Sequence, residues 1–171
     1  MIYPQNFEQK IGFDQIRLLL KEKCLSTLGT ERVEAMAFTD SADIIHEQLD
    51  RVCEFIRIVE EEDSFPDQYF YDLRPSLKRI RVEGMYMSEQ ELFDLRRSIE
   101  TINGIVSFLQ RSNDEEGETE EGASPYPALR QLAGDVRVYP QLLSRIDAIL
   151  DKFGKIKDNA SNELLHIRRE L

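Results

Sequence analysis

Ser88-Glu-Gln-Glu91-Leu92-Phe-Asp-Leu95-Arg-Arg-Ser-Ile99-Glu-Thr-Ile102-Asn-Gly-Ile-Val106-Ser-Phe-Leu109 reads as one long amphipathic helix, and the rest of the fold follows from it. Ser88 and Glu91 have the spacing of a capping box. The hydroxyl accepts from an amide of the first turn and the carboxylate reaches back to the N-cap amide. Met87 and Leu92 are placed to staple the same turn. From Leu92 to Leu109 the apolar residues recur at gaps of three and four, which keeps them on one helical face. The pattern returns at Leu142, Ile146, Ile149 and Phe153. It returns again, with heptad-like gaps, at Ile45, Leu49, Val52, Ile56 and Val59, after cap chemistry at Asp40-Ser41 and before Pro66. Phe13, Ile16, Leu20 and Cys24 mark a helix near the start. Gly29 is expected to interrupt it, and a shorter helix carries Val33 and Met36. Matching seams predict an all-α chain: an antiparallel helical bundle of about six to eight helices, packed around one core at roughly +20° crossings. At 171 residues the chain has room for one domain, 1–171.

The formal net charge is −11, and six of the negative charges lie in Asp114-Glu-Glu-Gly-Glu-Thr-Glu-Glu121, so −11 less those six leaves −5. The self-repelling stretch predicts a mobile loop over 113–125 between helices. A mildly acidic body argues against general adhesion to nucleic acid or anionic membrane, which needs clustered Lys and Arg. Cys24 and Cys53 sit inside apolar helical patterns, where buried thiols of a cytoplasmic protein are expected. The start of the chain shows no basic stretch followed by an apolar run, and no segment approaches spanning length. A cytoplasmic location without membrane contact is the expectation.

Catalytic patterns are sparse. Neither a P-loop nor a glycine-rich dinucleotide turn is present. His46 and His166 lack a second ligand at metal spacing, no cysteine has a matching base, and the carboxylates belong to solvated faces. No catalytic, cofactor-binding or metal-binding residue is therefore expected in these 171 residues. One cluster stands out. Arg74-Pro-Ser-Leu-Lys78-Arg79-Ile-Arg81 carries four cations and no acid, with Pro75 where a first helical turn tolerates it. Arg74, Lys78, Arg79 and Arg81, with Arg168 and Arg169, are the candidates for nucleic-acid contact. The competing expectation is that the cluster pairs with acidic helices such as the one ending in Glu60–Asp63, and the negative net charge favours pairing.

The tail, Gly154-Lys-Ile-Lys-Asp158-Asn-Ala-Ser161-Asn-Glu-Leu164-Leu-His-Ile167-Arg168-Arg169-Glu-Leu171, reads as a short extended segment over 154–158, a turn, and a helix starting near Ser161. Its apolar spacing of 164, 167 and 171 ends in phase, which predicts a helix that continues in a longer protein.

Three groups of residues carry a resemblance. The first is Asp72-Leu-Arg74-Pro75-Ser-Leu77-Lys-Arg79 followed by Gly84, Ser88 and Glu91-Leu92. The second is Gly154-x-Ile156-x-Asp158-x-Ala160-Ser161-x-x-Leu164-x-x-Ile167-Arg168. The third is Ile11-x-Phe13-x-x-Ile16 with Ser26-x-Leu28-Gly29. Together they resemble the N-terminal region of the second type of bacterial MutS protein, the paralogue without mismatch-reading domains. The resemblance implies a helical core domain from which a first lever helix leaves over 161–171 toward a clamp. It also implies a parent protein with a dimerising ATPase that uses ATP and Mg, and often a small nuclease-like domain. Branched DNA or stalled and collided ribosomes would be the parent's partners, engaged through other domains. The acidic run at 114–121 departs from the pattern, since this connection is ordinarily shorter and less charged. On this reading the segment is a non-catalytic connector, with Pro75, Gly84 and Gly154 as backbone punctuation. The alternative is a free-standing helical interaction module whose last stripe is completed by a partner.

Overall fold

A computed structural model describes residues 6–111 and 124–170. Among them are nine α-helices and no strand, so the chain is all-α as expected. The acidic run 114–121 and Leu171 fall outside the described residues. The chain separates into two compact units: Met1–Thr39 with Phe70–Asp72, and Asp40–Tyr69 with Leu73–Leu171.

The first unit holds α1 (Phe7–Lys10), α2 (Phe13–Glu22) and α3 (Thr27–Glu34). Gly12, at φ 75°, supplies the left-handed turn between α1 and α2 that a side chain would resist. Ser26 caps α3 by accepting from the Gly29 amide at 3.2 Å. Gly29 therefore sits inside a helix, and the interruption expected there falls at residues 23–26 instead. Arg17 ties the unit together. Its guanidinium donates to the Val33 and Met36 carbonyls at 2.6 and 3.0 Å, satisfying the open end of α3, and to both Glu8 carboxylate oxygens at 2.8 Å. No described residue of this unit is buried.

The second unit is built on α6 (Glu89–Leu109), against which α7 (Pro127–Ala133) and α8 (Pro140–Ile149) pack, while α4 (Ala42–Glu61) packs on α7. The predicted capping box at Ser88 and Glu91 is present in both directions. The core divides into two clusters. One joins Ile58 of α4 to Phe108, Leu109 and Tyr126, with Phe108 and Tyr126 stacked at 5.8 Å. The other joins Phe93 of α6 to Ile146 and Leu150 of the α8 region. Polar ties cross the same interfaces. Arg96 on α6 donates to Asp147 on α8 at 2.5 Å, which raises the guanidinium pKa above its ordinary value. Glu54 on α4 accepts from the Ala128 and Leu129 amides at 2.9 and 2.8 Å. Pro127 has no N–H to offer, so this buried carboxylate caps the next two orphan donors of α7 from another helix.

Three expectations about burial are corrected. The α4 seam is not core: Leu49 is 53% exposed, Val52 54% and Val59 69%, whereas the buried residues of α4 are Glu54 and Ile58. In α8, Ile146 is buried but Leu142, Ile149 and the following Phe153 are exposed. Cys53 is exposed and Cys24 half-buried, because Cys53 lies beside the open seam rather than under a neighbour. In each case the period located an apolar face, and the choice of packing partner lay elsewhere.

The segment predicted to be extended makes an isolated antiparallel bridge between Ile156 and Leu150. Asp151 closes this loop, its carboxylate accepting from the Phe153 and Lys155 amides at 2.8 Å each; the Lys155 amide bond is the main cause of its lowered pKa. Gly154, at φ 81°, lies so close to Phe93 that a Cβ would stand 2.6 Å from the ring. From this loop the chain turns into α9 (Asn162–Glu170), with Ser161 accepting from the Leu164 amide at 3.1 Å.

Candidate nucleic-acid interface

The basic cluster forms α5 (Arg74–Arg79) with Pro75 in its first turn, followed by a tight loop through Gly84, at φ 81°. Leu77 and Ile80, the apolar residues of this segment, are 41% and 37% exposed. The four cations have different fates. Arg79 donates to Glu91 at 2.5 Å, and its guanidinium also reaches the Tyr86 carbonyl at 3.4 Å. Ser76 donates to the other Glu91 oxygen at 2.6 Å. Glu91 thereby has three duties: pairing with Arg79, accepting from Ser76, and receiving the Ser88 amide at 2.9 Å in the capping box. These bonds, with Arg79 the largest cause, lower its pKa from the ordinary 4.5 to about 2.

Arg74 is also engaged and is not a free cation. Lys78 and Arg81 are exposed, and the side chain of neither has a hydrogen bond or ion pair with a described residue. Two of the cluster's four cations are thus bound into the protein beside two open ones. On α9, Arg168 pairs with Asp158, while Arg169 has no side-chain partner among the described residues. Two of the acids expected to neutralise the cluster are used elsewhere. Glu61 faces Arg57 at 3.9 Å and Glu62 accepts from the Tyr126 hydroxyl at 3.2 Å. The hydroxyl's pKa is raised, chiefly by burial and then by the Glu62 charge.

Next to this site a strap holds residues 65–69 on α6. Thr101 donates to the Gln68 carbonyl at 2.8 Å and Ser98 to the Tyr69 carbonyl at 3.2 Å. Arg97 lies over both the Tyr69 and Phe93 rings, at 4.6 and 4.1 Å. Sequence reading missed the Ser98 and Thr101 bonds, which join residues 29 and 33 apart by sequence. The polar residues inside the α6 seam, Ser98 and Thr101, were the available signal. An open groove of about 610 Å³ is lined by Leu109, Ser124, Pro127, Arg130 and Gln131 among others, with Arg130 the one charged side chain among the described residues that line it. No group of three or more His, Cys, Asp or Glu side chains with metal-binding geometry occurs among the described residues. None of their helices is long and apolar enough to cross a membrane.

No protein-family model matches the chain. It is similar to Endonuclease MutS2 of Geobacillus sp. strain WCH70, with 28% identity over 165 residues, covering 94% of this chain and 20% of that protein. Endonuclease MutS2 of Leuconostoc citreum is 25% identical over 161 residues, covering 94% of this chain and 19% of the relative. The protein of the same name from Leuconostoc mesenteroides is 24% identical over 168 residues, covering 98% and 20%. Nearly the whole chain is thus similar to proteins named Endonuclease MutS2. It spans about a fifth of the length of the curated relatives it matches.

Proposed function

We propose that this chain is the helical core segment of a MutS-type, DNA-associated ATPase, passing movement between a clamp and the ATPase without catalysing a step itself. The observation that carries the reading is the alignment: nearly the whole chain matches, and it matches only about a fifth of each relative. The polar ties between α6 and α8 and between α4 and α7 fit such a body, because packed helices move between discrete arrangements and do not stretch. On this reading α9 is the start of the first lever helix, and the chain is one core domain. The parent binds ATP with Mg, works as a homodimer in the cytoplasm, and acts on branched DNA or on ribosomes through other domains, with a nuclease-like domain in many cases. Lys78, Arg81 and Arg169 are the cations open to phosphate, while Arg74, Arg79 and Arg168 serve the fold.

The test has two arms. Purified residues 1–171 hydrolyse no ATP, and robust hydrolysis by them would end the proposal. In the parent protein, replacing Lys78 and Arg81 by Ala lowers the salt slope of DNA binding by about two. An unchanged slope assigns both cations to solvent.

The second reading, a free-standing interaction module, draws support from the uncovered α4 seam. It expects the reading frame to stop just past Leu171, whereas the connector reading expects it to run on to a P-loop.

A further inference from the structure

Two adjacent arginines of α6 are held in different ways. Arg96 pairs with Asp147 and Glu100. The half-buried Arg97 has no hydrogen bond or ion pair from its side chain to a described residue. Its guanidinium rests on two ring faces instead, Tyr69 at 4.6 Å and Phe93 at 4.1 Å. A cation partly shielded from water is attracted to both rings, and each ring belongs to a different part of the unit. Tyr69 ends the strap, with its backbone left-handed at φ 66°, a conformation that a bulky side chain resists and glycine accepts. Helix α6 holds that path in place. The buried Thr101 and Ser98 donate to the Gln68 and Tyr69 carbonyls, and Gly104 leaves room for Pro66, whose ring a Cβ there would meet at 3.2 Å.

Phe93 stands at the other end, one turn before Arg97 on α6. It is buried with Ile146 and Leu150, and Gly154 lies against its ring. Gly154 belongs to the loop that Asp151 closes and from which the chain runs on to α9. The contacts therefore form one line: strap, Tyr69 ring, Arg97, Phe93 ring, tail loop. We propose that Arg97 is a clasp that couples the strap to the tail loop. The Tyr69 ring keeps the guanidinium over Phe93, and Phe93 kept in that place closes the loop at Gly154. Removing the Tyr69 ring frees the guanidinium, and the tail loop opens more often. The coupling belongs to the second unit by itself and does not rest on the connector reading.

The experiment is amide hydrogen exchange, followed by NMR in the full 171-residue chain. Three amides report on the tail loop: Phe153 and Lys155, which donate to Asp151, and Lys157, which donates to the Ile149 carbonyl. The Ala128 and Leu129 amides, held by Glu54, serve as the control. Tyr69→Gly suits the left-handed backbone, so it deletes the ring while the strap keeps its path. It is expected to speed exchange of the three loop amides roughly three- to tenfold, as loss of one cation–π contact would, with the control unchanged. Tyr69→Phe keeps the ring face and the original rates. Arg97→Gln speeds the same three amides, and adding Tyr69→Gly to it changes nothing further. Unchanged loop rates in Tyr69→Gly overturn the proposal, and so does an equal rise at the control amides, which is a general loss of stability. A Tyr69→Gly effect that persists in the Arg97→Gln chain also overturns it. Should Tyr69→Gly fail to fold, Arg97→Gln decides alone, with unchanged loop rates the overturning result.

Discussion

Helices α4 and α6 are nearly equal in length and carry seams of the same period, yet they end in opposite environments. In α6 the line from Leu92 to Leu109 is buried or half-buried along its length, Ile102 excepted, and neighbours pack on it from two sides. In α4 the seam faces out, and the helix is held by a carboxylate, Glu54, and one fully buried residue, Ile58. An apolar stripe records that a helix wants a partner. It does not record whether the partner is a neighbour in the same unit. The polar residues on the far side, which look like ordinary surface, made that choice in α4.

The largest effect that bears on this contrast is expected at Gly154, where α6 is closed from below by the tail loop. Gly154→Ala meets both a left-handed backbone and the Phe93 ring, and should cost roughly 3 to 4 kcal/mol, read as a fall in the urea midpoint. Ile146→Ala empties the cluster under α6 and should cost about 3 kcal/mol. Its counterpart Leu49→Ala, on the open seam, should change the stability of the single chain by less than about 0.5 kcal/mol. Equal losses at the two sites would erase the contrast.

Glu54→Ala comes next. It leaves the Ala128 and Leu129 amides without their acceptor and should cost about 2 kcal/mol, with α7 fraying first in hydrogen exchange. A silent substitution would show that α4 is held by Ile58 alone.

The smallest effect is a pH dependence at the start of α6. The folded pKa of Glu91 lies below its unfolded value, so its contribution is fully present above about 4.5 and is lost as pH falls toward about 2. Urea midpoints followed through that window should decline less steeply in Arg79→Ala, because the largest cause of the shift is gone. No such dependence is expected from the α4 seam, which carries no titratable group.

The capping box at Ser88 and Glu91 was legible because it is local: two residues three apart satisfy each other whatever surrounds them. The positions of α6, α8 and α9 were legible for the same reason, through caps and periods. At the candidate interface the cluster of cations could be read off the chain, but their division into bound and open could not. Arg79 finds Glu91 twelve residues on, and Arg168 finds Asp158 ten residues back. The loop that brings each pair together is a consequence of folding and has no spacing signature. Cys53 shows the converse error, since a thiol within an apolar pattern was read as buried on the premise that the pattern itself was buried.

The sequence by itself determined that this chain is helical and where its long helices run. Those facts rest on short-range physics: amide satisfaction at helix ends and the period of the apolar face. Only the tertiary structure decided which apolar faces became core, which arginines were neutralised, and why position 154 must be glycine. Those outcomes depend on competition between distant surfaces for the same neighbours, and a single strand of sequence contains the competitors without the result.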